Sequence, residues 1–362
     1  MINKVQIRNF KSLKDVTVNA RGLNLLSGLN GMGKSSFIQT LLLAKQSESL
    51  YSKGSLRLKG GLVSIGTGSE ALYQFAESDA MELTFGISDG SQFKWSFLCK
   101  PEWDVLESNA DFLATPIVDP LRRLQYLSAD RMGPQPYYDM SLSSIETGEL
   151  GTRGEFTVHY LLRNGRNFKI KDEVKHRTND DLTLLNQVNS WLGEISPGVK
   201  ASIVEIPGVD KVFLRYDFAL GVGRTNGFRP NNVGFGISFA LSVIVALLTA
   251  QTDSVLIIEN PEAHLHPRGQ AELGRLMALC ASSGAQLFVE THSDHIINGV
   301  RVAVRDHLVS PSAVNMCWFS KTTTEIEQYA TIEEIKVDKN GEFSNYPKDF
   351  LDEWTNQLLH LV

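Results

Sequence analysis

Residues 28–35 read Gly-Leu-Asn-Gly-Met-Gly-Lys-Ser, which satisfies the phosphate-loop pattern G-x-x-x-x-G-K-[ST]. Glycines allow backbone conformations closed to other residues, so the N–H groups of such a loop approach phosphate oxygens. Lys34 is placed to reach the β- and γ-phosphates, and the hydroxyl of Ser35 to ligate Mg²⁺. Residues 23–27 predict a buried strand before the loop, and residues 35–45 carry apolar side chains at helical spacing after it. Strand, glycine loop and helix are the order that this motif requires.

Composition is that of an ordinary soluble globular protein. The chain has 362 residues, 42% hydrophobic and 21% charged, enough for one large or two modest domains. The formal net charge of −6 argues against a surface that tracks nucleic acid throughout, but it is compatible with a local basic face. Cys99, Cys280 and Cys317 are far apart, which predicts a reducing environment and neither a disulfide framework nor a zinc site. The N-terminus shows no apolar signal region, so we expect a cytoplasmic protein.

An uncharged segment at residues 233–250 raises the question of a membrane span. It begins Val-Gly-Phe-Gly, contains two serines and is followed closely by Asp253. These features predict a helix buried in the protein core, and no membrane partner is expected.

The two ends of the chain follow different patterns. Residues 5–10 alternate apolar and polar side chains, and residues 81–87 and 93–99 flank a Ser-Asp-Gly-Ser turn. These patterns predict an antiparallel sheet in the N-terminal part. In the last third, apolar strands at 255–258 and 286–289 alternate with helical patterns, which predicts a largely parallel sheet covered by helices.

The predicted strand at 255–258 ends in Glu259. Because ligands bind at the carboxyl ends of parallel strands, this carboxylate is expected to hold Mg²⁺ together with Ser35. The chain continues Asn-Pro-Glu-Ala-His-Leu-His-Pro at residues 260–267, and Glu-Thr-His-Ser-Asp follows the next strand at residues 290–294.

This series of motifs resembles the ATP-binding-cassette (ABC) head of the RecF, SMC and OLD-type ATPases. The resemblance implies an α/β fold, an ABC-type P-loop ATPase head with an antiparallel β N-terminal lobe and a helical insertion. The matching segments are the N-terminal strand at 7–13, Walker A at 28–36, the signature segment at 233–238, Walker B with the D-loop at 257–267 and the switch-histidine loop at 291–293.

Four regions are expected on this basis. They are an N-terminal ATPase lobe with Walker A at 1–135, a helical and β insertion at 136–230, a C-terminal ATPase lobe at 231–300 and a family-specific extension at 301–362.

The resemblance also implies roles for individual residues. Nucleotide contacts are expected from Lys11, Gly28, Asn30, Gly31, Gly33, Lys34, Ser35 and Ser36. Gly234, Gly236 and Ser238 would cap the γ-phosphate of ATP held by a second subunit, through N–H groups at a helix start. His292 would contact the γ-phosphate and sense its loss. Mg²⁺ would be held by Ser35 and Glu259.

The chain departs from the family's pattern after the Walker B acid. Relatives usually place a glutamate there to polarise the attacking water, and this sequence has Asn260. An amide can orient a water molecule but cannot accept its proton. Glu262 is the candidate substitute for the base, and slow hydrolysis is expected.

Residues 126–131 and 337–352 resemble a group of short stand-alone bacterial members with an uncharacterised C-terminal domain, often associated with phage defence. This implies an ATP-driven switch that joins two copies of itself and controls an effector protein. The alternatives are a DNA-repair or recombination ATPase that binds DNA directly, and an ATP-sensing scaffold with little turnover.

Two further clusters of polar residues suggest a metal site and a DNA contact, but simpler interpretations are favoured. Glu262, His264 and His266 suggest a metal site, but they alternate along an irregular stretch without a further ligand, so a D-loop is favoured. Lys171, Lys175 and the neighbouring Arg177 are diluted by acidic residues, which favours a solvated face over a DNA contact.

Overall fold

A six-stranded, mainly parallel sheet forms the centre of the molecule. The computed structural model describes residues 1–108, 119–205, 208–351 and 353–361. The strand order is β15-β14-β3-β13-β12-β8, with every neighbouring pair parallel except β14 and β15. The strands are β3 (Leu23–Gly28), β8 (Leu124–Leu127), β12 (Val255–Glu259), β13 (Gln286–Glu290), β14 (Val314–Thr323) and β15 (Gln328–Ile335). The sheet thus takes strands from the predicted regions 1–135, 231–300 and 301–362.

An antiparallel sheet of six strands packs beside it, as the N-terminal alternation predicts. Its order is β2-β1-β5-β6-β7-β4. The expected hairpin is present, with Gly86 opposite Gln92 across the turn. The strands are β1 (Ile2–Phe10), β2 (Leu13–Val18), β4 (Ser55–Arg57), β5 (Ala80–Ile87), β6 (Gln92–Leu98) and β7 (Val105–Ser108).

The insertion contains a third, small antiparallel sheet, made of β9 (Tyr138–Asp139), β10 (Val199–Glu205) and β11 (Lys211–Phe218).

Most of the helices lie on the central sheet or in the insertion. The helices are α1 (Lys34–Gln46), α2 (Gly68–Ala71), α3 (Asp119–Arg122), α4 (Leu142–Thr147), α5 (Thr157–Asn164), α6 (Leu184–Ile195), α7 (Phe235–Thr249), α8 (Pro267–Ser282), α9 (Asp294–Arg305) and α10 (Glu353–His360).

Hydrophobic clusters cover both faces of the central sheet. Successive residues of a strand point to opposite faces, so Ile257 packs with α1 and the antiparallel sheet, whereas Ile258 packs with α7, α8 and α9. The uncharged segment predicted as a buried helix is α7, whose side chains are mostly buried. Among the described residues, no helix is long and apolar enough to cross a membrane.

Some details differ from the sequence-based expectations. The helix predicted between the strands at 255–258 and 286–289 begins at Pro267, because proline suits the first helical position and the His266 side chain accepts a hydrogen bond from the Arg268 N–H. The strands β14 and β15 belong to the C-terminal extension and were not predicted. Phe350 is 2% exposed and packs its ring on Trp318 of β14, which fastens the tail to the sheet. Asp352, within the tail stretch that resembles the bacterial group, lies outside the described residues.

Candidate functional site

The phosphate loop connects β3 directly to α1. Gly28, Gly31 and Gly33 have φ values of 144°, 77° and 101°, a region that side chains other than glycine's rarely tolerate. A Cβ on Gly28 would lie 2.2 Å from the carbonyl oxygen of Phe319, whereas one on Gly31 would meet open space. The loop is therefore wedged against β14 at its start and open where a phosphate would enter.

The Lys34 side chain lies under this loop and is 3% exposed. Its Nζ donates to the carbonyl oxygens of Gly28 at 2.8 Å and Leu29 at 2.9 Å. Burial lowers the pKa of Lys34, and the nearby Glu290 carboxylate opposes that shift. The ammonium group is thus held inside the loop, at the position from which it reaches phosphate oxygens.

Glu290 is a site residue that the sequence-based analysis did not assign. It ends β13, which lies between β3 and β12, and the hydroxyl of Ser35 donates to its carboxylate at 3.3 and 3.4 Å. Lys34 Nζ lies 3.9 Å away. Burial, with a smaller contribution from Glu259, raises the pKa of Glu290 to about 7, and Lys34 counteracts this. An acid that ends a buried strand was the available signal, the same one that identified Glu259.

Glu259 lies directly opposite Glu290 in the register of β12 and β13. Its carboxylate accepts a hydrogen bond from the N–H of Ala129 at 3.0 Å. Burial raises the pKa of Tyr126, and the charge of the nearby Glu259 carboxylate, to which its hydroxyl bonds, adds to the shift. Ser35, Glu259 and Glu290 form an all-oxygen donor set, the kind that suits Mg²⁺. No group of three or more His, Cys, Asp or Glu residues that would hold a metal occurs in the described chain, so the His264–His266 alternative gains no support.

We expect Glu290 to make stability pH-dependent in metal-free protein. Its raised pKa means that the folded state binds more protons than the unfolded state between about pH 4 and pH 7, so raising the pH through this window destabilises the fold. Glu290→Gln removes this titration. The melting temperature of the variant, relative to wild type, should therefore rise between about pH 5 and pH 8 in thermal melts with EDTA. A difference that stays flat across this range would contradict the assigned shift.

Glu262 and His292 meet across neighbouring loops. The Glu262 carboxylate accepts from the His292 N–H at 2.8 Å and from the Thr291 hydroxyl at 2.9 Å. Burial, with Lys34 nearby, lowers the pKa of His292, so its imidazole is neutral at neutral pH. His292 also lines a cavity of about 210 Å³ with residues 27–30 of the phosphate loop. The switch-histidine loop is therefore joined to the D-loop and lies beside the phosphate loop.

Asn260 has a left-handed backbone, with φ 44°. Its N–H donates to the carbonyl oxygen of Glu290 at 2.8 Å. Its side-chain oxygen is buried and has no hydrogen-bond partner among the described residues. At the turn after Glu259 the structure thus holds an amide side chain, where a carboxylate would be needed to accept a proton.

Lys11 lies at the edge of the same site. Its Nζ donates to Gln39 of α1 at 3.0 Å, and burial lowers its pKa. The following residue, Ser12, would contact a Cβ on Gly33 at 3.1 Å, so the turn between β1 and β2 adjoins the phosphate loop. Asn30 and Ser35 are exposed, and Ser36 is half-buried at the start of α1.

Comparisons with known proteins agree with this arrangement. Family models match three parts of the chain: "AAA ATPase domain" over residues 1–96, "AAA domain, putative AbiEii toxin, Type IV TA system" over 159–298, and "Protein of unknown function (DUF3696)" over 309–361. Two of these models describe AAA ATPase domains, which supports an ABC-type AAA ATPase. No curated protein matches the sequence.

Solved structures show that this ATPase has the fold of an SMC head. One similar structure is the SMC head bound to the C-winged helix domain of ScpA, at 14% identity and a TM-score of 0.52, covering 93% of this chain and 98% of that one. Another is the SMC head domain with an extended coiled coil bound to the C-terminal domain of ScpA, from Pyrococcus furiosus, at 13% identity and a TM-score of 0.50, covering 99% of both chains. At such identities the likeness concerns the fold alone.

The signature segment of the ATPase opens α7. Gly234 is exposed at the helix start, and a Cβ there would meet nothing within 4 Å. Gly236 approaches the D-loop, since its Cβ would lie 2.5 Å from the carbonyl oxygen of His264. Ser238 is 7% exposed, and its side chain lines a small buried pocket with Tyr138. At the start of α7 the exposed position is therefore Gly234, whereas Gly236 packs on the D-loop and the Ser238 side chain lies in the core.

Proposed function

We propose that this ATPase is an ATP-binding and hydrolysing conformational switch of the cytoplasm, which controls a partner effector protein. The observation that carries the proposal is the junction of four elements at one point. Lys34 and Ser35 meet Glu290, and Glu259 lies opposite Glu290, while Glu262 ties the D-loop to the switch-histidine loop. Binding or loss of the γ-phosphate would thus alter the positions of the D-loop and the switch-histidine loop.

ATP would be held by the loop amides and by Lys34, which must exchange its bonds to two loop carbonyls for phosphate oxygens. Lys11, Asn30 and Ser36 border the same space. Ser35 and Glu259, with Glu290, would hold Mg²⁺, which neutralises phosphate charge when bound. His292, neutral at neutral pH, is placed to accept or donate one hydrogen bond towards the γ-phosphate.

Hydrolysis would be slow in this site. Asn260 orients a water molecule without accepting its proton, and both oxygens of Glu262 are engaged by the switch loop. Glu262 has to loosen one of these bonds before it can serve as base. This supports a switch that stays long in its ATP state.

Association of two copies would complete each site. Gly234 and Gly236 begin α7, and the adjacent Phe235 is 59% exposed. Free N–H groups at a helix start attract phosphate, which supports a role of this segment towards ATP on a second copy.

The variant Gly234→Arg tests this association. The position is exposed and its φ of −59° suits any side chain, so folding and ATP binding by single protomers should be unchanged. The bulky cation should block the second copy and reduce single-turnover hydrolysis by about 10²-fold or more, the scale of losing a preorganised anion contact. Light scattering with ATP should show loss of the ATP-dependent species. Normal hydrolysis by Gly234→Arg would exclude the signature role. Gly221→Arg is the control for an added charge, because Gly221 is exposed in another loop and a Cβ there meets nothing within 4 Å.

We further propose that the effector protein controlled by this switch acts in phage defence. The description of the model matching residues 159–298 names a toxin–antitoxin system, and the two SMC heads were solved with domains of a partner protein. Mass spectrometry of proteins that co-purify with the natively expressed chain, compared with the Lys34→Ala variant, tests this part. A protein retained only by the ATP-binding form would support it, and an identical set of proteins would contradict it.

Direct DNA binding is less well supported. Lys171, Lys175 and Arg177, the basic cluster considered for DNA, all bond to neighbouring groups, for example Lys175 to Asp172 at 3.1 Å and Arg177 to Glu194 at 2.9 Å. Stimulation of turnover by DNA would favour this alternative, and tight ATP retention without phosphate release would favour the scaffold.

A further inference from the structure

A buried arginine holds the Walker B turn from behind. Arg131 lies in the segment after β8 and is 2% exposed. Its Nη1 donates to the carbonyl oxygens of Glu259 at 2.5 Å and Ser128 at 3.0 Å, and its Nη2 donates to that of Asn260 at 2.5 Å. One planar guanidinium therefore clamps two consecutive carbonyls of the turn.

The charge of this arginine is retained in its buried position. Burial lowers the pKa of Arg131 to about 10, while the Glu262 and Glu259 carboxylates act in the opposite direction. The group is therefore cationic at neutral pH. Burying a cation is costly unless it is paired and hydrogen-bonded. The three bonds to carbonyls offset part of this cost, while the buried Nε has no hydrogen-bond partner among the described residues.

The clamp determines where two functional side chains point. Asn260 has a left-handed backbone, which for a residue other than glycine requires support from its surroundings. The turn is fixed on one side by the Arg131 bonds and on the other by the bond of the Asn260 N–H to Glu290. The directions of the Glu259 carboxylate and the Asn260 amide follow from that turn.

The same guanidinium also contacts α7, the helix that begins at the signature segment. Its Cζ lies 5.9 Å from the ring centre of Phe239 on α7, and that ring packs edge-on against His264 of the D-loop at 4.7 Å. A lysine ammonium offers neither the planar fork nor the flat face for this arrangement.

We infer that Arg131 is a positioning residue for the ATPase reaction, which sets the Walker B turn so that Glu259 faces the metal and Asn260 faces the water. It does not itself contact the nucleotide. The inference rests on the proposed function, since it assigns Arg131 a part in Mg²⁺ binding and in hydrolysis by the same site.

The test compares Arg131→Lys with Arg153→Lys. Arg153 is a matched control because it pairs with Asp130, the neighbour of Arg131 in the chain, at 3.1 Å, but its own side chain is 48% exposed. ATP affinity is measured with EDTA and then with Mg²⁺, followed by single-turnover hydrolysis. For Arg131→Lys we expect metal-free ATP affinity within about 3-fold of wild type. The gain in affinity on adding Mg²⁺ and the hydrolysis rate should each fall by about 10–100-fold, the usual effect of removing a group that orients a metal ligand. Arg153→Lys should match wild type.

A purely structural role of Arg131 predicts a different result. It would lower the melting temperature and leave the Mg²⁺-dependent gain and the rate of the folded fraction within about 3-fold of wild type, and that outcome overturns the inference. If Arg131→Lys does not fold, Arg131→Gln, which removes the buried charge, is measured in the same way with the same criterion. The Mg²⁺ titration separates this inference from the proposed function. Wild-type turnover no faster than that of Lys34→Ala would contradict the proposed ATP hydrolysis. The gain in ATP affinity on adding Mg²⁺, compared between wild type and Arg131→Lys, would still decide the role of Arg131.

Discussion

Replacing Lys34 by alanine should abolish tight ATP binding while the protein remains folded. The ammonium group makes two charge-assisted hydrogen bonds inside the phosphate loop and would transfer them to phosphate oxygens. Each bond to a charged group is worth about 1.5–3 kcal/mol, so we expect ATP affinity to fall by about 10²–10⁴-fold. Isothermal titration calorimetry with ATP and Mg²⁺ measures the loss.

The structure also indicates why the fold should survive this change. Of the two carbonyls that Lys34 releases, that of Leu29 belongs to a residue that is 54% exposed, so water can replace the ammonium group there. Lys45→Ala, at the other end of α1, is the matched control: its amine bonds to Glu48 and to the Arg122 carbonyl, away from the site. The phosphate-loop assignment is wrong if folded Lys34→Ala protein, verified by circular dichroism, binds ATP as tightly as Lys45→Ala.

The sequence predicts those parts of the site that are formed by residues contiguous in the chain. The phosphate loop and the strand that ends at Glu259 are contiguous patterns, so their positions were predicted and the fold confirms the elements around them. The switch-loop motif begins with Glu290 but assigns it no role, because its proximity to Ser35 follows only from the placement of β13 between β3 and β12. Strand order is a property of the whole sheet, which no local pattern contains.

Side-chain direction was the other limit. Ser238 fits the signature segment by spacing, yet the helical rotation of α7 turns it into the core. No local pattern assigns a role to Arg131, because its bonds to Glu259 and Asn260 join residues 128 and 129 positions apart. The pairing of β14 with β3 similarly depends on the C-terminal extension returning to the N-terminal strand.

The altered Walker B turn gives the second large prediction. Glu262→Gln should bind ATP and Mg²⁺ but lose about 10²–10⁴-fold in hydrolysis, the usual effect of removing a general base. Glu259→Gln should instead weaken the Mg²⁺ dependence of ATP binding. Single-turnover phosphate release is the proper measurement, because product release can mask the chemical step in steady state.

The contacts of Glu262 require one more variant to interpret that loss. Its carboxylate accepts from Thr291 and from the His292 N–H, so a glutamine there would turn an N–H₂ group towards donors and displace the switch loop. Thr291→Val removes one of these bonds and leaves the carboxylate intact. If Glu262 acts as base, Thr291→Val should lose far less activity than Glu262→Gln; equal losses would assign Glu262 to holding the switch loop.

Asn260→Glu completes the comparison, because it restores the carboxylate that relatives carry at this position. The side-chain oxygen of Asn260 is buried without a partner, in a turn held by Arg131, so a carboxylate there would be desolvated and its pKa raised towards the range that suits a base at neutral pH. We expect hydrolysis faster than wild type, and we expect it to persist when Glu262→Gln is added if the new carboxylate has taken over proton acceptance. A double variant as slow as Glu262→Gln alone would show that position 260 does not reach the attacking water. In that case the slow chemistry would originate in the turn itself, and not in the identity of its second residue.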